Sequence, residues 1–278
     1  MPSATDTPPA SHCGGLRLRG ITAQSTSDKP LVTVITATFN AAEHLVPCIE
    51  SVLAQNYPNI EHLIFDGGST DGTLDILRRY DDRIALWRSQ PDKGVYDAWN
   101  NALDEARGEW VAYIGADDEY LPGAIAAYIE LARQNPNADY ISSRALWLHP
   151  SGYERIIGLP WSWPAFSNHM TTTHVGSFHR RSLYNSLGKY DITFPTAADY
   201  ELLLRARNRL RTAFMPTVTV KMRAGGLSDK APALEEAKRV KLVAGSRHPW
   251  MASIDHVIAW VKFILRPLRR AIKKLMSN

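Results

Sequence analysis

The sequence predicts an α/β protein: an open, mostly parallel nucleotide-binding sheet flanked by helices, followed by an amphipathic helical tail. Three observations predict it. Over the first 120 residues, short apolar or β-branched runs alternate with helical stretches, four strands to three helices, the pattern of right-handed βα crossovers. Each run ends on polar or acidic residues, which places them along the strand carboxyl ends where such sheets bind ligands. From Ile254 onward, apolar residues recur at three-four spacing with cations on the other side.

Leu31 to Thr38 (LVTVITAT) is β-branched and apolar throughout, fitting a strand covered on both faces. Asn40 is placed to cap a helix running to about Gln55, which Pro47 should kink or shorten. Ile60 to Asp66 reads as a second strand, with Gly67 to Asp71 as turn and cap before a helix to about Tyr80. A short strand, Ile84 to Arg88, is followed by a polar loop, Ser89 to Gly94, and a helix from Val95 to about Ala106. Pro122 to Gln134 is helical and Tyr140 to Leu148 is a strand. Pro150 to His169 reads as irregular, its Trp161, Trp163 and Phe166 being either a platform for an acceptor or a packed hydrophobic lid. Val175 to His179 is a short strand, Arg181 to Leu187 and Ala198 to Asn208 are helices, and Thr217 to Met222 closes the sheet region.

The run Trp110 to Tyr120 (WVAYIGADDEY) is a buried strand that ends on Gly115 and Ala116 and then two adjacent carboxylates, Asp117 and Asp118. Like charges that close repel each other, and partial burial adds a desolvation penalty, so the pair asks for a cation. Hard oxygen ligands of this kind suit Mg²⁺ or Mn²⁺ bound together with substrate phosphates. An acidic loop or helix cap before Leu121 and Pro122 is the structural alternative.

At 278 residues and 45% hydrophobic composition, the chain can bury one large core, or one core with an appendage. Cys13 and Cys48 are its two cysteines, which excludes a disulfide framework or a cysteine zinc site and makes a reducing compartment the default. Residues 1–29 are rich in Ser, Thr, Pro and Gly without the apolar core of a signal peptide, so they read as a disordered leader. The net charge is +4, yet residues 253–278 hold six cations against one aspartate, so the basic character belongs to the tail. The body shows no electrostatic footprint for nucleic acid.

Taken together, VITATFN, FDGGSTDGT, QPDKGVYDAWNNAL, GADDEYLPGA and TAADYELLLR resemble a bacterial glycosyltransferase of family 2, of the subgroup that builds O-antigen and exopolysaccharide units. The resemblance covers residues 31 to 230 and implies the GT-A fold, a nucleotide-sugar donor with a UDP-sugar favoured, a divalent metal (Mg²⁺ or Mn²⁺) and inversion at the anomeric carbon. It implies that Thr38, Phe39, Asn40 and Glu43 line the nucleobase pocket and that Asp66 binds base or ribose. Asp92, Lys93 and Gly94 match the loop that approaches nucleotide and sugar, with Asn100 in the helix behind it. Asp117 and Asp118 match the metal motif, although its usual first Asp is Gly115 here. Asp199 matches the catalytic base, although the Glu often preceding it is Ala198. His174, in MTTTHVGSFHRR, is available to the metal, diphosphate or acceptor, or is structural; Arg223, before Gly225 and Gly226, is available to clamp the diphosphate, or is a solvated arginine.

The resemblance divides the chain into the leader, a catalytic domain at 30–230 and a helical extension at 231–278. In the extension, Ile254, Val257, Ile258, Val261, Leu265, Leu268, Ile272 and Leu275 form one stripe, with Lys262, Arg266, Arg269, Arg270, Lys273 and Lys274 opposite. Three such cations at the centre of a bilayer would cost roughly 8 to 10 kcal/mol, which argues against spanning. The tail therefore reads as an interfacial anchor on an anionic membrane surface, with docking on protein as the alternative. That reading implies a cytoplasmic protein, peripheral on the inner face of the membrane, with a saccharide or polyprenyl-diphosphate-linked acceptor.

Three other function classes compete. A sugar-1-phosphate nucleotidyltransferase would carry a glycine-rich basic loop after the first strand, where this chain has Thr38-Phe39-Asn40-Ala41. A non-catalytic nucleotide-sugar-binding protein is suggested by Gly115 and Ala198, and a membrane scaffold by the tail alone.

Overall fold

The computed structural model describes residues 12–26, 28–226, 230–245 and 247–265. Its centre is the strand β2 (Val32–Thr38), flanked by β3 (Ile60–Asp66) on one side and β5 (Trp110–Tyr113) on the other. β4 (Leu86–Ser89) extends the sheet beyond β3, and all three pairings are parallel. Helices α1 (Leu45–Leu53), α2 (Thr73–Arg79) and α3 (Val95–Glu105) are the crossovers between these strands. The register sets Thr38 opposite Asp66, and Asp66 opposite Ser89, so the strand carboxyl ends form one edge.

Beyond β5 the sheet becomes mixed. β9 (Ser177–Arg180) runs antiparallel to both β5 and β7 (Tyr140–Leu148), and β10 (Thr212–Arg223) runs parallel to β7. The two-residue β6 (Glu119–Tyr120) pairs antiparallel with β10, and α4 (Ala124–Gln134) packs below. This far half of β10 brings Arg223 back to the carboxylates that follow β5. β10 starts at Thr212, five residues before the expected strand, because its first half finds a parallel partner in β7 that periodicity does not reveal.

The two largest of three apolar clusters among the described residues cover the two faces. One gathers Ile35, Tyr113, Trp99, Phe166 and the inward side of α7 (Ala198–Ala206); the other gathers Val34, Trp110, Ile125, Tyr128 and Phe178. The stretch read as irregular, Pro150 to His169, contains a strand, β8 (Glu154–Ile157), paired with β7, and a single turn of helix, α5 (Trp163–Phe166). Its aromatic residues pack inward: Trp161 lies 4.2 Å from Phe166, and the Tyr200 hydroxyl donates to the Phe166 carbonyl at 2.8 Å. A short helix, α6 (Leu183–Leu187), leads on toward α7.

The helix expected from Asn40 begins instead at Leu45, because Asn40 takes a left-handed conformation (φ 49°) that Asn tolerates, and residues 41–44 form a turn. Pro47 then falls in the first helical turn, where an N–H has no intrahelical acceptor to lose, so it is accommodated.

Part of the expected disordered leader is ordered. β1 (His12–Gly14) pairs antiparallel with β4 and forms the sheet edge, while residues 1–11 lie outside the described residues. Gly14 permits this, since a Cβ there would meet Trp87 at 2.5 Å. The segment is locked by Arg17, which pairs with Glu61, a carboxylate only 2% exposed. Glu61 also accepts from the Thr33 hydroxyl (2.5 Å) and the Arg107 N–H (2.7 Å), so the buried charge is fully engaged.

The described residues end with two helices, α8 (Pro232–Val243) on α7 and α9 (Pro249–Ile264) on α8. α9 docks by its polar side: Asp255 pairs with Lys241 and Arg247, and His256 and Trp260 reach Glu235. Ile254, Val257, Ile258, Val261 and Ile264 remain exposed. The cations Arg266, Arg269, Arg270, Lys273 and Lys274 lie outside the described residues.

Removing one member of a buried ion pair strands the other. Arg17→Met is expected to lower unfolding stability by about 3 to 5 kcal/mol in urea titration; a change below about 1 kcal/mol, the scale of an exposed pair, would mean that the N-terminal segment does not dock this way.

Candidate active site

Strand polarity assembles the site from loops that follow β2, β3, β4 and β5. At its first end, Thr38 is buried and Phe39 is exposed beyond it. Asn40 turns its side chain across to the next loop, where its Oδ1 accepts the Thr70 N–H at 3.0 Å, while its own N–H donates to Ser69 Oγ at 2.7 Å. Asp66 is buried and organises that same loop: it accepts from the N–H groups of Gly68 (3.0 Å) and Ser69 (2.9 Å), from the Ser69 hydroxyl, and from the Ser89 hydroxyl (2.6 Å). The loop after β3 is thus prebuilt by a carboxylate whose oxygens are largely engaged within the protein. Glu43 lies on the exposed surface beside His44.

Asp92, half-buried, sits over Gly67, where an added Cβ would come within 3.0 Å of its carboxylate. It accepts the Gly94 N–H at 2.8 Å, and burial is the first cause of its raised proton affinity. Lys93 projects to the surface, its N–H donating to Asp97 at 3.0 Å. Gly94, at φ 108°, opens α3, and two residues on, the Tyr96 hydroxyl donates to Asp199 Oδ1 at 2.9 Å.

Asp199 stands in the first turn of α7, half-buried, and also accepts the Tyr200 N–H at 2.8 Å. Burial pushes its pKa above the ordinary carboxylate value, while the Tyr96 hydrogen bond pulls the other way. A carboxylate so placed is a stronger base than a solvated one.

Asp118 is the most perturbed acid of the site. It is 4% exposed, and burial, then the neighbouring Asp117, push its pKa up to about 7. The Arg223 N–H donates to Asp118 Oδ1 at 2.9 Å, and the Arg223 guanidinium reaches Glu119 at 3.4 Å. At Gly115 a Cβ would approach Asp118 Oδ2 to 2.6 Å and Asp117 Oδ1 to 3.0 Å, so the missing aspartate at this position is what lets both remaining carboxylates fold back over the backbone. No group of three or more His, Cys, Asp or Glu that could hold a metal occurs among the described residues. Two carboxylates on hard oxygens nevertheless fit Mg²⁺ or Mn²⁺, ions that complete their coordination with water and substrate phosphates.

Two expected ligand residues are turned into the protein. Both ends of the Asn100 amide are hydrogen-bonded to the Tyr190 backbone, at 2.9 and 3.0 Å. His174 is buried between Trp99 and Tyr113, each ring 4.8 Å away, and burial lowers its pKa to about 3, so it is neutral. Its Nε2 meets the Tyr190 hydroxyl at 3.3 Å; its Nδ1 and the Trp99 Nε1 have no hydrogen-bond partner among the described residues. Sequence reasoning passed over Tyr96, although it lies inside the QPDKGVYDAW string; its position in the first turn after a left-handed glycine was the available signal.

The Glycosyl transferase family 2 profile matches residues 33–176, just over half of the chain. A PGL/p-HBAD biosynthesis glycosyltransferase of Mycobacterium tuberculosis is 28% identical over 254 residues, covering 86% of this chain and 94% of that protein. Among solved structures, Staphylococcus aureus TarS in complex with UDP-GlcNAc superposes with a TM-score of 0.62 at 15% identity, covering 85% of this chain and 73% of that one. The mannosyltransferase PcManGT from Pyrobaculum calidifontis, in complex with GDP-Man and Mn²⁺, gives 0.57 at 18% identity, covering 93% and 85%. The sheet, its ligand edge and these matches agree: the chain belongs to glycosyltransferase family 2 and is a glycosyltransferase with an α/β fold of the GT-A type.

Proposed function

We propose that the protein is an inverting, divalent-metal-dependent transferase that moves a sugar from a nucleotide sugar, a UDP-sugar foremost, to a saccharide or polyprenyl-diphosphate-linked acceptor in cell-surface glycan synthesis. The observation that carries the reading is Asp118, a buried acid beside a second acid and an arginine at the carboxyl end of a central strand. A cation between the two acids and a diphosphate beside the arginine would satisfy these groups together. The PGL/p-HBAD relative supports the glycan-building role, the TarS complex supports the UDP donor and the PcManGT complex supports Mn²⁺.

In this reading Asp117 and Asp118 would hold Mg²⁺ or Mn²⁺, and the ion would supply Lewis-acid stabilisation for charge on the departing diphosphate. Thr38, Phe39 and the Asn40–Ser69 bridge shape the base pocket, with Asp66 rigidifying its floor. Arg223 clamps the diphosphate through its guanidinium while its N–H keeps Asp118 in place. Asp199 takes the proton of the attacking acceptor hydroxyl, so that the new bond forms on the face of C1 opposite the leaving group. Tyr96 holds Asp199 in the ionised form and orients it.

The exposed apolar stripe of α9 lies on an anionic membrane surface in this reading, with Lys262 available to lipid headgroups. Among the described residues no helix is long and apolar enough to cross a membrane.

Nucleoside diphosphates of U, G, dT and C, with and without Mn²⁺, are expected to separate in a thermal-shift assay: one stabilises, needs the metal, and loses its effect in Asp118→Ala. No shift with any of them would turn the reading toward a scaffold. Asp199→Asn is expected to lower transfer by about 10²- to 10⁴-fold, the scale of base assistance; full activity would remove Asp199 from the mechanism. Tyr96→Phe deletes a hydrogen bond to the ionised carboxylate, so the acidic limb of the rate profile moves to higher pH; an unmoved limb argues against Asp199 as the titrating base. Vesicles containing phosphatidylglycerol are expected to co-float with the protein, phosphatidylcholine vesicles much less, and Val257→Glu/Val261→Glu should abolish flotation; binding that survives this change would exclude the α9 face.

A further inference from the structure

The mechanism leaves unused one acid that touches the loop of the base. Glu236 lies in α8, outside the stretch that matches the family and outside the span whose motifs resemble it. Its Oε2 accepts the Thr196 N–H at 2.7 Å and also the Thr196 hydroxyl. Thr196 stands three residues before Asp199, in the turn that feeds α7. One helical turn further along α8, Arg239 lies 4.4 Å from the Phe194 ring centre and donates to the carbonyl and hydroxyl of Thr193 at 3.3 Å. Residues at this spacing share a helix face. Val240 is buried beside them in the cluster that includes Leu204 of α7. α8 therefore grips residues 193–196 from one side, while Tyr96 and Asn100 of α3 hold Asp199 and Tyr190 from the other.

Ala198 supplies no carboxylate next to Asp199, and Glu236 brings one to the same turn from a different element. We infer that Glu236 is a positioning residue for Asp199: it anchors the turn before α7 through Thr196, so the C-terminal extension completes the base site. The inference rests on the reading of Asp199 as the base. The titratable and charged groups that face this turn and Asp199 are Tyr96 from α3, Tyr140 from β7, Asp191 within the turn, Arg205 from α7, and Glu236 and Arg239 from α8. Burial raises the proton affinity of Glu236 and Asp199 adds repulsion, while the Thr196 hydrogen bond and Arg239 oppose both. Like charges hinder each other's ionisation, so removing the Glu236 charge lowers the proton affinity of Asp199.

The test compares full-length Glu236→Ala, Glu236→Gln and Asp199→Asn with the wild type, using UDP-GlcNAc and GDP-mannose as probe donors and reading released nucleoside diphosphate. Glu236→Ala is expected to lower kcat by roughly ten- to a hundredfold with the donor KM unchanged, the scale of an ångström of misplacement. Glu236→Gln keeps an acceptor for Thr196 and should recover most of that loss. In parallel, the Asp199 carboxyl ¹³C signal, assigned by its loss in Asp199→Asn, should titrate at lower pH in Glu236→Gln than in the wild type. This titration needs no donor and decides the matter where neither probe is turned over or where Glu236→Ala fails to fold. An Asp199 midpoint that does not move in Glu236→Gln overturns the inference, as does a Glu236→Ala enzyme with wild-type kcat. Full activity in Asp199→Asn would instead overturn the base itself; an inactive Asp199→Asn beside an unimpaired Glu236→Ala would remove only the positioning role.

Discussion

Parallel pairing about β2 is the constraint from which the site follows. Because β2, β3, β4 and β5 all run the same way, their carboxyl ends must lie on one edge, and the register fixes which residues meet there. Thr38, Asp66 and Ser89 fall in line, and the loop after β5 brings Asp117 and Asp118 to the same edge. Strands buried on both faces have no polar side of their own, so the polar groups collect at their ends.

Electrostatics divides that edge into parts that are self-sufficient and parts that are not. Asp66 and Glu61 are buried acids whose oxygens are engaged by N–H and hydroxyl donors, and they serve the architecture. Asp118 is equally buried, yet its two backbone-related hydrogen bonds do not offset burial and the adjacent Asp117, and its pKa stays near 7. The contrast in satisfaction, rather than in residue type, marks where an external charge is needed. Asp199 lies between these extremes: two hydrogen bonds hold it, and burial keeps it basic.

The helices after β10 are integrated with the catalytic sheet through polar contacts. α9 leans on α8 through Asp255, Lys241 and Arg247, and α8 leans on the turn before Asp199 through Glu236 and Arg239. A chain of charged contacts thus links the exposed apolar face of α9 to the turn before Asp199. Because the polar side of α9 is used for docking, its apolar side is the one left outward, the reverse of an ordinary packed helix.

The alternation of strands and helices, the strand ends and the acidic pair were legible in the chain because they are local: periodicity marks the elements, and crossover handedness fixes which ends share an edge. The five family-like strings carried the transferase identity for the same reason, each being short and contiguous. What the sequence left open depended on partners far along the chain. Nothing near Asn100 or His174 announced that Tyr190 and two aromatic rings would draw them inward. Nothing near residue 14 announced that β4 had a free edge to extend, and nothing near Ala198 announced an acid arriving from α8. Burial and hydrogen-bond satisfaction are sums over neighbours brought together only by folding, so tertiary structure decided which polar residues hold the protein together and which remain for chemistry.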